Sequence, residues 1–242
     1  MKEYFRYTRS PWYSYLFVLP LLVLYQGLVL VANLGERRVV VNGADAMVQS
    51  FLGLLGARGW LASWVVLAVA AGVVVYRSDA AHRAGPLRRG YFWGVLGESA
   101  AYATVFGSVV SVLTYFLLPG HTWLQIGGGA MSFGQRLATS LGAGLYEELV
   151  FRLCLTGGMI WALRRFGWKD SAAGITAVLA SSFLFSLVHY VGPYADTLQL
   201  TSFTFRFVAG VVLTALFTVR GFAVAAWTHA LYDVFLLLQG RG

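Results

Sequence analysis

Charged residues are scarce in this chain. Only 12% of its 242 residues are Asp, Glu, Lys or Arg, about half of the roughly 25% found in average soluble proteins. Hydrophobic residues make up 58%, and the mean hydropathy is +0.69. A water-soluble fold of this length cannot cover its surface with so few polar side chains, so an ordinary cytosolic enzyme and a disordered protein are both excluded. The composition predicts an integral membrane protein.

Cysteine is almost absent as well. The single Cys154 excludes an internal disulfide and belongs to no metal-binding spacing. The net charge of +8 comes from 18 Lys and Arg against 10 Asp and Glu. Because the basic residues cluster between apolar runs, we attribute the excess to membrane topology and anionic lipid, and we expect no nucleic-acid partner.

Long apolar runs predict an all-α polytopic membrane protein with about seven transmembrane helices, within a range of six to eight. The shorter segment Met47–Leu55 predicts an interfacial or re-entrant helix. We divide the chain into an N-terminal transmembrane region, residues 1–136, with about three spans, and a catalytic four-helix membrane core, residues 137–242. The predicted spans are Tyr13–Ala32, Leu61–Tyr76, Tyr91–Leu118, Leu137–Leu163, Ala172–Val191, Phe203–Val219 and Phe222–Leu238.

The basic residues between these spans predict the orientation. With the N-terminus in the cytoplasm, the inner segments carry eleven Lys or Arg residues and the outer segments six. This excess agrees with the positive-inside rule. We therefore expect a bacterial inner (cytoplasmic) membrane protein with a cytoplasmic N-terminus.

Three acidic and basic residues interrupt the fourth span. An ionisable side chain at mid-bilayer costs about 2.5–3.5 kcal/mol, so it needs a partner or a function. Glu148 and Arg152 are four residues apart, which places them on one face of an α-helix as an ion pair. Glu147 points about 100° away and has no local partner. Glu147 is thus a candidate general base. The alternative is a purely structural role, in which these polar side chains hold helices together.

Two further polar groups lie near the ends of the fifth and seventh spans. Phe185 and His189 share one helix face, as do His229 and Asp233, so that the Asp233 carboxylate is placed to hold the imidazole in one tautomer. Structural roles are the alternative for each pair. Under the predicted topology all three groups lie toward the outer half of the membrane. A glutamate with two histidines can activate water directly or through a metal ion.

These segments resemble the CAAX protease and bacteriocin-processing family of intramembrane endopeptidases, also called the CPBP or Abi family. The family pattern is Glu-Glu-x-x-x-Arg, then Phe-x-x-x-His, then His-x-x-x-Asn or Asp. This chain matches it in type, spacing and order with Glu147-Glu148-x-x-x-Arg152, Phe185-x-x-x-His189 and His229-x-x-x-Asp233. The resemblance covers about Leu137–Leu238 and leaves the first three spans uncovered.

The resemblance implies a glutamic-type peptidase in which Glu147 is the general base and His189 positions the attacking water. His229 and Asp233 would complete the site and stabilise the oxyanion. The best-known prenyl-protein proteases have Asn at the position of Asp233, and an ionised Asp cannot donate a hydrogen bond. Stabilisation of the oxyanion is therefore assigned to His229 in preference to Asp233.

The resemblance further implies that Glu148 and Arg152 hold the motif helix or contact substrate, with Phe185 in support. No cofactor is favoured, although zinc bound by Glu147, His189 and His229 remains an alternative.

The expected partners are the lipid bilayer and a membrane-anchored peptide or protein. The substrate would carry a C-terminal sorting signal, as in the myxosortase branch, or be a prenyl-protein or an exported peptide. A non-enzymatic scaffold or immunity protein, or a small proton-coupled transporter, would use the same intramembrane polar residues without peptide hydrolysis.

Overall fold

Helices form most of the computed structural model, which describes residues 2–35, 39–54, 60–78, 85–119, 131–192 and 195–240. These ranges contain no β-strand, which confirms the all-α polytopic fold class. The helices are α1 (Lys2–Thr8), α2 (Pro11–Ala32), α3 (Gly43–Leu54), α4 (Trp60–Arg77), α5 (Arg89–Leu117), α6 (Phe133–Gly142), a π-helix (Ala143–Thr156), α7 (Gly157–Arg165), α8 (Asp170–Val188), α9 (Leu200–Arg220) and α10 (Phe222–Leu238).

Each predicted span falls on a helix or on a continuous helical run. Among the described residues, four helices are long and apolar enough by themselves to cross a membrane, namely α2, α5, α8 and α9. Helix α10 and the Ala68–Arg77 part of α4 are apolar but shorter. The span predicted at Leu137–Leu163 covers α6, the π-helix and α7, which follow one another without a break. The total of about seven spans stays a prediction. Length and composition alone support four of these spans.

Helix α2 shows how local sequence sets a helix start and a core face. The Ser10 side chain caps the helix by accepting a hydrogen bond from the backbone N–H of Tyr13 at 3.3 Å, and Pro11 occupies the first helical position. Large side chains then recur every four residues on the face that packs into the bundle. These buried residues are Tyr13, Phe17, Leu21, Tyr25 and Val29.

The segment predicted at Met47–Leu55 is helix α3, which begins earlier, at Gly43. Its 12 residues extend about 18 Å, whereas the hydrocarbon core is about 30 Å thick. Over its described residues α3 is therefore too short to cross this core. Leu55 lies outside the described residues, and an interfacial or re-entrant position stays a prediction. Helix α3 packs against the π-helix.

Helix α10 packs against α2, α5, α6, α9 and the π-helix, so it lies at the centre of the bundle. Ala223, Ala225, Ala226 and Ala230 are fully buried on it, because small side chains let helix backbones approach closely. Helices from both sides of the predicted 136/137 domain boundary thus pack together. The boundary itself stays a prediction, and α6 begins before it, at Phe133.

A polar cluster joins α1, α5 and α9. Arg220 donates hydrogen bonds to both carboxylate oxygens of Glu98, at 2.5 and 2.7 Å, and the Tyr4 hydroxyl donates to Glu98 at 2.7 Å. Arg220 ends the 21-residue α9, which is about 30 Å long, while the first turn of α9 bonds to the Tyr190 hydroxyl beside the end of α8. The cluster therefore lies at the opposite end of the bundle from His189.

Candidate active site

The Glu147–Glu148–Arg152 motif lies on a π-helix, not on the α-helix that the sequence suggests. In a π-helix each N–H bonds to the carbonyl five residues earlier. Such turns are rare in proteins, and those that occur are often found at functional sites. The Thr156 hydroxyl donates to the Phe151 carbonyl at 2.7 Å, and the Ser181 hydroxyl of α8 donates to the same oxygen at 2.6 Å. Side chains from the π-helix and from α8 thus bind the Phe151 carbonyl oxygen and stabilise the π-helical hydrogen-bond pattern at this point.

Glu148 is the centre of a buried charged chain. The expected ion pair with Arg152 is present, with Nη1 3.2 Å from Oε1, and the two side chains are 1% and 0% exposed. The same Oε1 lies 2.8 Å from Nδ1 of His229 on α10. Since a carboxylate can only accept, His229 carries a proton on Nδ1. Glu148 therefore fixes the ring of His229 and connects α10 to the π-helix.

Glu147 points to the other side of the π-helix, into a different set of partners. Its Oε1 accepts a hydrogen bond from Nδ2 of Asn42 at 3.0 Å. Its Oε2 lies 4.0 Å from Nε2 of His189 and 3.9 Å from Nε2 of His229. The two histidines thus face the carboxylate from two helices, at distances too long for direct hydrogen bonds.

His189 follows the last residue of α8 and is oriented by its own helix. Its Nδ1 lies 2.8 Å from the Phe185 carbonyl oxygen. A carbonyl can only accept, so Nδ1 carries the proton and Nε2 of the neutral ring is an acceptor facing Glu147. The Phe185 ring packs edge-on against both histidines, with centroid distances of 5.1 and 6.1 Å, and lies 4.3 Å below the Arg152 guanidinium. Phe185 therefore acts as the packing partner common to all three motifs.

Asp233 has a different position from the one its spacing suggests. Its Oδ2 lies 3.6 Å from Nε2 of His229, beyond hydrogen-bond length, and its side chain is 28% exposed. Glu148, not Asp233, holds the tautomer of His229, because it reaches Nδ1 directly from the neighbouring π-helix. Asp233 instead lies beside the nitrogen that faces Glu147.

Asn42 is the member of this cluster that sequence reasoning missed. It lies between α2 and α3, 105 residues before Glu147. No motif connects the two, and only the position of Asn42 next to a short apolar segment offered a signal.

A metal ion at this position would need several of the same side chains as ligands. Within the described part of the chain, no group of three or more His, Cys, Asp or Glu side chains is arranged to hold a metal ion. Two further histidines of the sequence, His82 and His121, and the glycine run Gly127-Gly128-Gly129 lie outside the described residues.

The three motifs lie inside a segment that matches a known family. Residues 129–235 match the family model described as type II CAAX prenyl endopeptidase Rce1-like. This segment belongs to the CAAX protease family. It contains all seven residues of the three motifs and leaves Asn42 outside. The CAAX protease family indicates a membrane-embedded endopeptidase that acts on a membrane-associated protein. No curated protein and no solved structure matches the chain.

Proposed function

We propose that this protein hydrolyses a peptide bond of a membrane-anchored substrate with a water molecule activated by Glu147. The observation that carries the proposal is the convergence of Glu147 Oε2 with the Nε2 atoms of His189 and His229 at 3.9–4.0 Å. A water oxygen about 2.8 Å from each of two atoms fits between groups at this separation.

The protonation pattern favours such a water as the nucleophile. Glu147 Oε2 and His189 Nε2 are both acceptors, so together they take both protons of one water and leave its lone pairs free. As the water oxygen bonds to the substrate carbonyl carbon, Glu147 takes one proton as general base. The same proton then passes to the leaving amide nitrogen while the C–N bond breaks, which yields a new carboxyl group and a new amine.

His229 is placed to stabilise the oxyanion that forms on the carbonyl oxygen. With Nδ1 held by Glu148, its imidazolium form donates from Nε2. Asp233, at 3.6 Å, and the Glu148 carboxylate, at 2.8 Å, face that positive charge. Asp233 thus acts through His229, and Glu148 and Arg152 position the ring and do not contact substrate.

The decisive experiment compares purified variants in liposomes that contain a membrane-tethered reporter peptide. We expect Glu147→Gln and His189→Ala to lower the rate of cleavage at least a hundredfold while the melting temperature stays close to that of the wild type. Glu3→Gln, which alters an exposed carboxylate that pairs with Arg88, is the control and retains full activity. Wild-type rates in both site variants would refute the assignment of Glu147 and His189, whereas absence of cleavage by the wild-type protein itself would favour a scaffold.

We propose that the reaction needs no metal ion. Tetrahedral zinc with bonds of about 2.0–2.1 Å requires ligand atoms about 3.3 Å apart, whereas Glu147 Oε2 lies 3.9–4.0 Å from each of the two histidine Nε2 atoms. Cleavage should therefore continue in the presence of a strong chelator. Loss of activity with chelator, restored by added zinc, would contradict this proposal and favour the zinc peptidase that uses the same residues.

We further propose that the substrate is cut on the outer face of a bacterial inner membrane, as for a C-terminal sorting signal or an exported peptide. The support is the excess of basic residues in the segments opposite to the site. Cysteines placed in the 120–133 segment, in a Cys154→Ser background, should react with a membrane-impermeant reagent from outside intact cells. Labelling only after the cells are opened would place the site on the cytoplasmic side, where prenyl-proteins are processed.

A further inference from the structure

The carboxylate proposed as general base is held by a residue outside the family segment. Asn42 is almost completely buried, at 6% exposure, and its Nδ2 donates to Glu147 Oε1 at 3.0 Å. The matched segment begins only at residue 129. A side chain from the N-terminal region thus contacts a residue of the Glu-Glu motif directly.

The orientation of the Asn42 amide is fixed by its neighbours. Its Oδ1 accepts a hydrogen bond from the backbone N–H of Ala44 at 2.8 Å. Because only the amide oxygen can accept from an N–H, the NH₂ group must be the end that faces Glu147. The backbone N–H of Asn42 donates to the Tyr25 hydroxyl at 3.3 Å, and that hydroxyl donates to Asp45 at 2.5 Å.

Close backbone packing holds Asn42 against the helical run that carries Glu147. A Cβ added to Gly142 would lie 2.8 Å from Cβ of Asn42 and 2.5 Å from Cε2 of Tyr25. Such distances are too short for any larger side chain, so α2 and the residue before α3 rest directly on the end of α6. The Asn42 amide is therefore held in place by contacts on both of its sides.

This contact has a consequence for the base. With Oε1 occupied by Asn42, the carboxylate plane of Glu147 is fixed, and Oε2 is the oxygen that remains for the water between the histidines. Without the amide donor, the carboxylate is free to rotate about its last bond and to turn away from the water. Pre-organisation of this kind contributes to rate and not to substrate affinity.

We propose that Asn42 is a positioning residue that aims Glu147 at the attacking water, so that the segment between α2 and α3 completes the active site. The inference rests on the proposed function of Glu147 as general base. It also assigns a role to the N-terminal region, which supplies this donor to a catalytic carboxylate 105 residues away.

The test is Asn42→Ser, because serine keeps the cap on α3 and is too short to reach Glu147. We expect kcat to fall by about tenfold to a hundredfold while KM stays within about twofold. The control is Ser50→Ala, in the body of α3 and outside the segment that completes the site. The exposed Ser50 hydroxyl donates to the Ala46 carbonyl of its own helix at 2.8 Å, so this variant should keep a near-normal kcat.

A double variant separates positioning from folding. Adding Asn42→Ser to Glu147→Gln should cause no further loss of rate, since the group that Asn42 positions has already been replaced. Normal kcat in Asn42→Ser, or an equal fall in Ser50→Ala, would overturn the inference while leaving the function of Glu147 intact. Full activity of Glu147→Gln alone would instead overturn the proposed function.

Discussion

Gly144 offers a sharp test of how helix packing sets the site, although it contacts none of the reacting groups. A Cβ at this position would collide with the Ala226 carbonyl oxygen and lie 2.5 Å from the Ala230 backbone nitrogen. Both are backbone atoms of α10, so neither can move aside by rotation of a side chain. In Gly144→Ala the π-helix and α10 must therefore separate.

The required separation follows from the contact distances. Ordinary carbon contacts are about 3.5 Å, so relief of the clash needs a displacement of about 1 Å. His229 directly precedes Ala230, and its 2.8 Å bond to Glu148 would lengthen beyond hydrogen-bond range. Overpacking costs about 1–3 kcal/mol, and a misplacement of about 1 Å lowers enzyme rates by about a hundredfold.

The rate of cleavage of the tethered reporter checks the predicted loss of activity. Thermal unfolding of the same preparation checks the predicted loss of stability. Gly158→Ala is the matched control, because a Cβ there meets nothing within 4 Å and alanine favours a helix by about 1 kcal/mol. The control should retain wild-type cleavage. If Gly144→Ala cleaves within twofold of Gly158→Ala, the close contact between these helices does not set the geometry of the site.

Two further predictions concern the other carboxylates of the site, those of Glu148 and Asp233. Glu148→Ala leaves the buried Arg152 unpaired and should lower the free energy of unfolding by about 3–5 kcal/mol in chemical denaturation. Glu3→Ala, which alters an exposed pair, should change that free energy by less than about 1 kcal/mol. Equal effects of the two variants would contradict a stabilising role for the buried contacts of Glu148. Asp233→Asn removes the negative charge that faces His229 but adds an amide donor for the oxyanion, so its cleavage rate should stay within about tenfold of wild type while Asp233→Ala, which lacks both, loses more. Complete loss in Asp233→Asn would show that the negative charge itself is required.

Much of the site could be predicted because its determinants are local. The spacing of Glu148 and Arg152 places them on one helix face whatever the rest of the chain does, and the ion pair is present. The convergence of His189 and His229 on Glu147 follows from the cost of isolated polar groups in apolar spans, which makes them gather. The catalytic roles of these residues stay predictions.

The remaining features depend on contacts that sequence spacing does not encode. The π-helix is supported at the Phe151 carbonyl by Ser181, which is 30 residues away, so hydrophobic periodicity suggested an ordinary α-helix. The Asn42 contact joins residues 105 positions apart. The partner of Glu98 is Arg220, at the far end of another helix. In each case packing between distant segments decides the structure.

The two adjacent glutamates illustrate how environment separates chemically identical groups. Glu148 is fully buried, and its Oε1 faces a guanidinium and an imidazole, so it orients His229 and has no access to substrate. Glu147 receives one neutral amide donor and turns its second oxygen toward two imidazole nitrogens that it does not touch. In the proposed mechanism only the second arrangement lets a carboxylate oxygen accept a proton from a water. On that proposal the motif needs both residues, because Glu148 orients His229 beside the water that Glu147 activates.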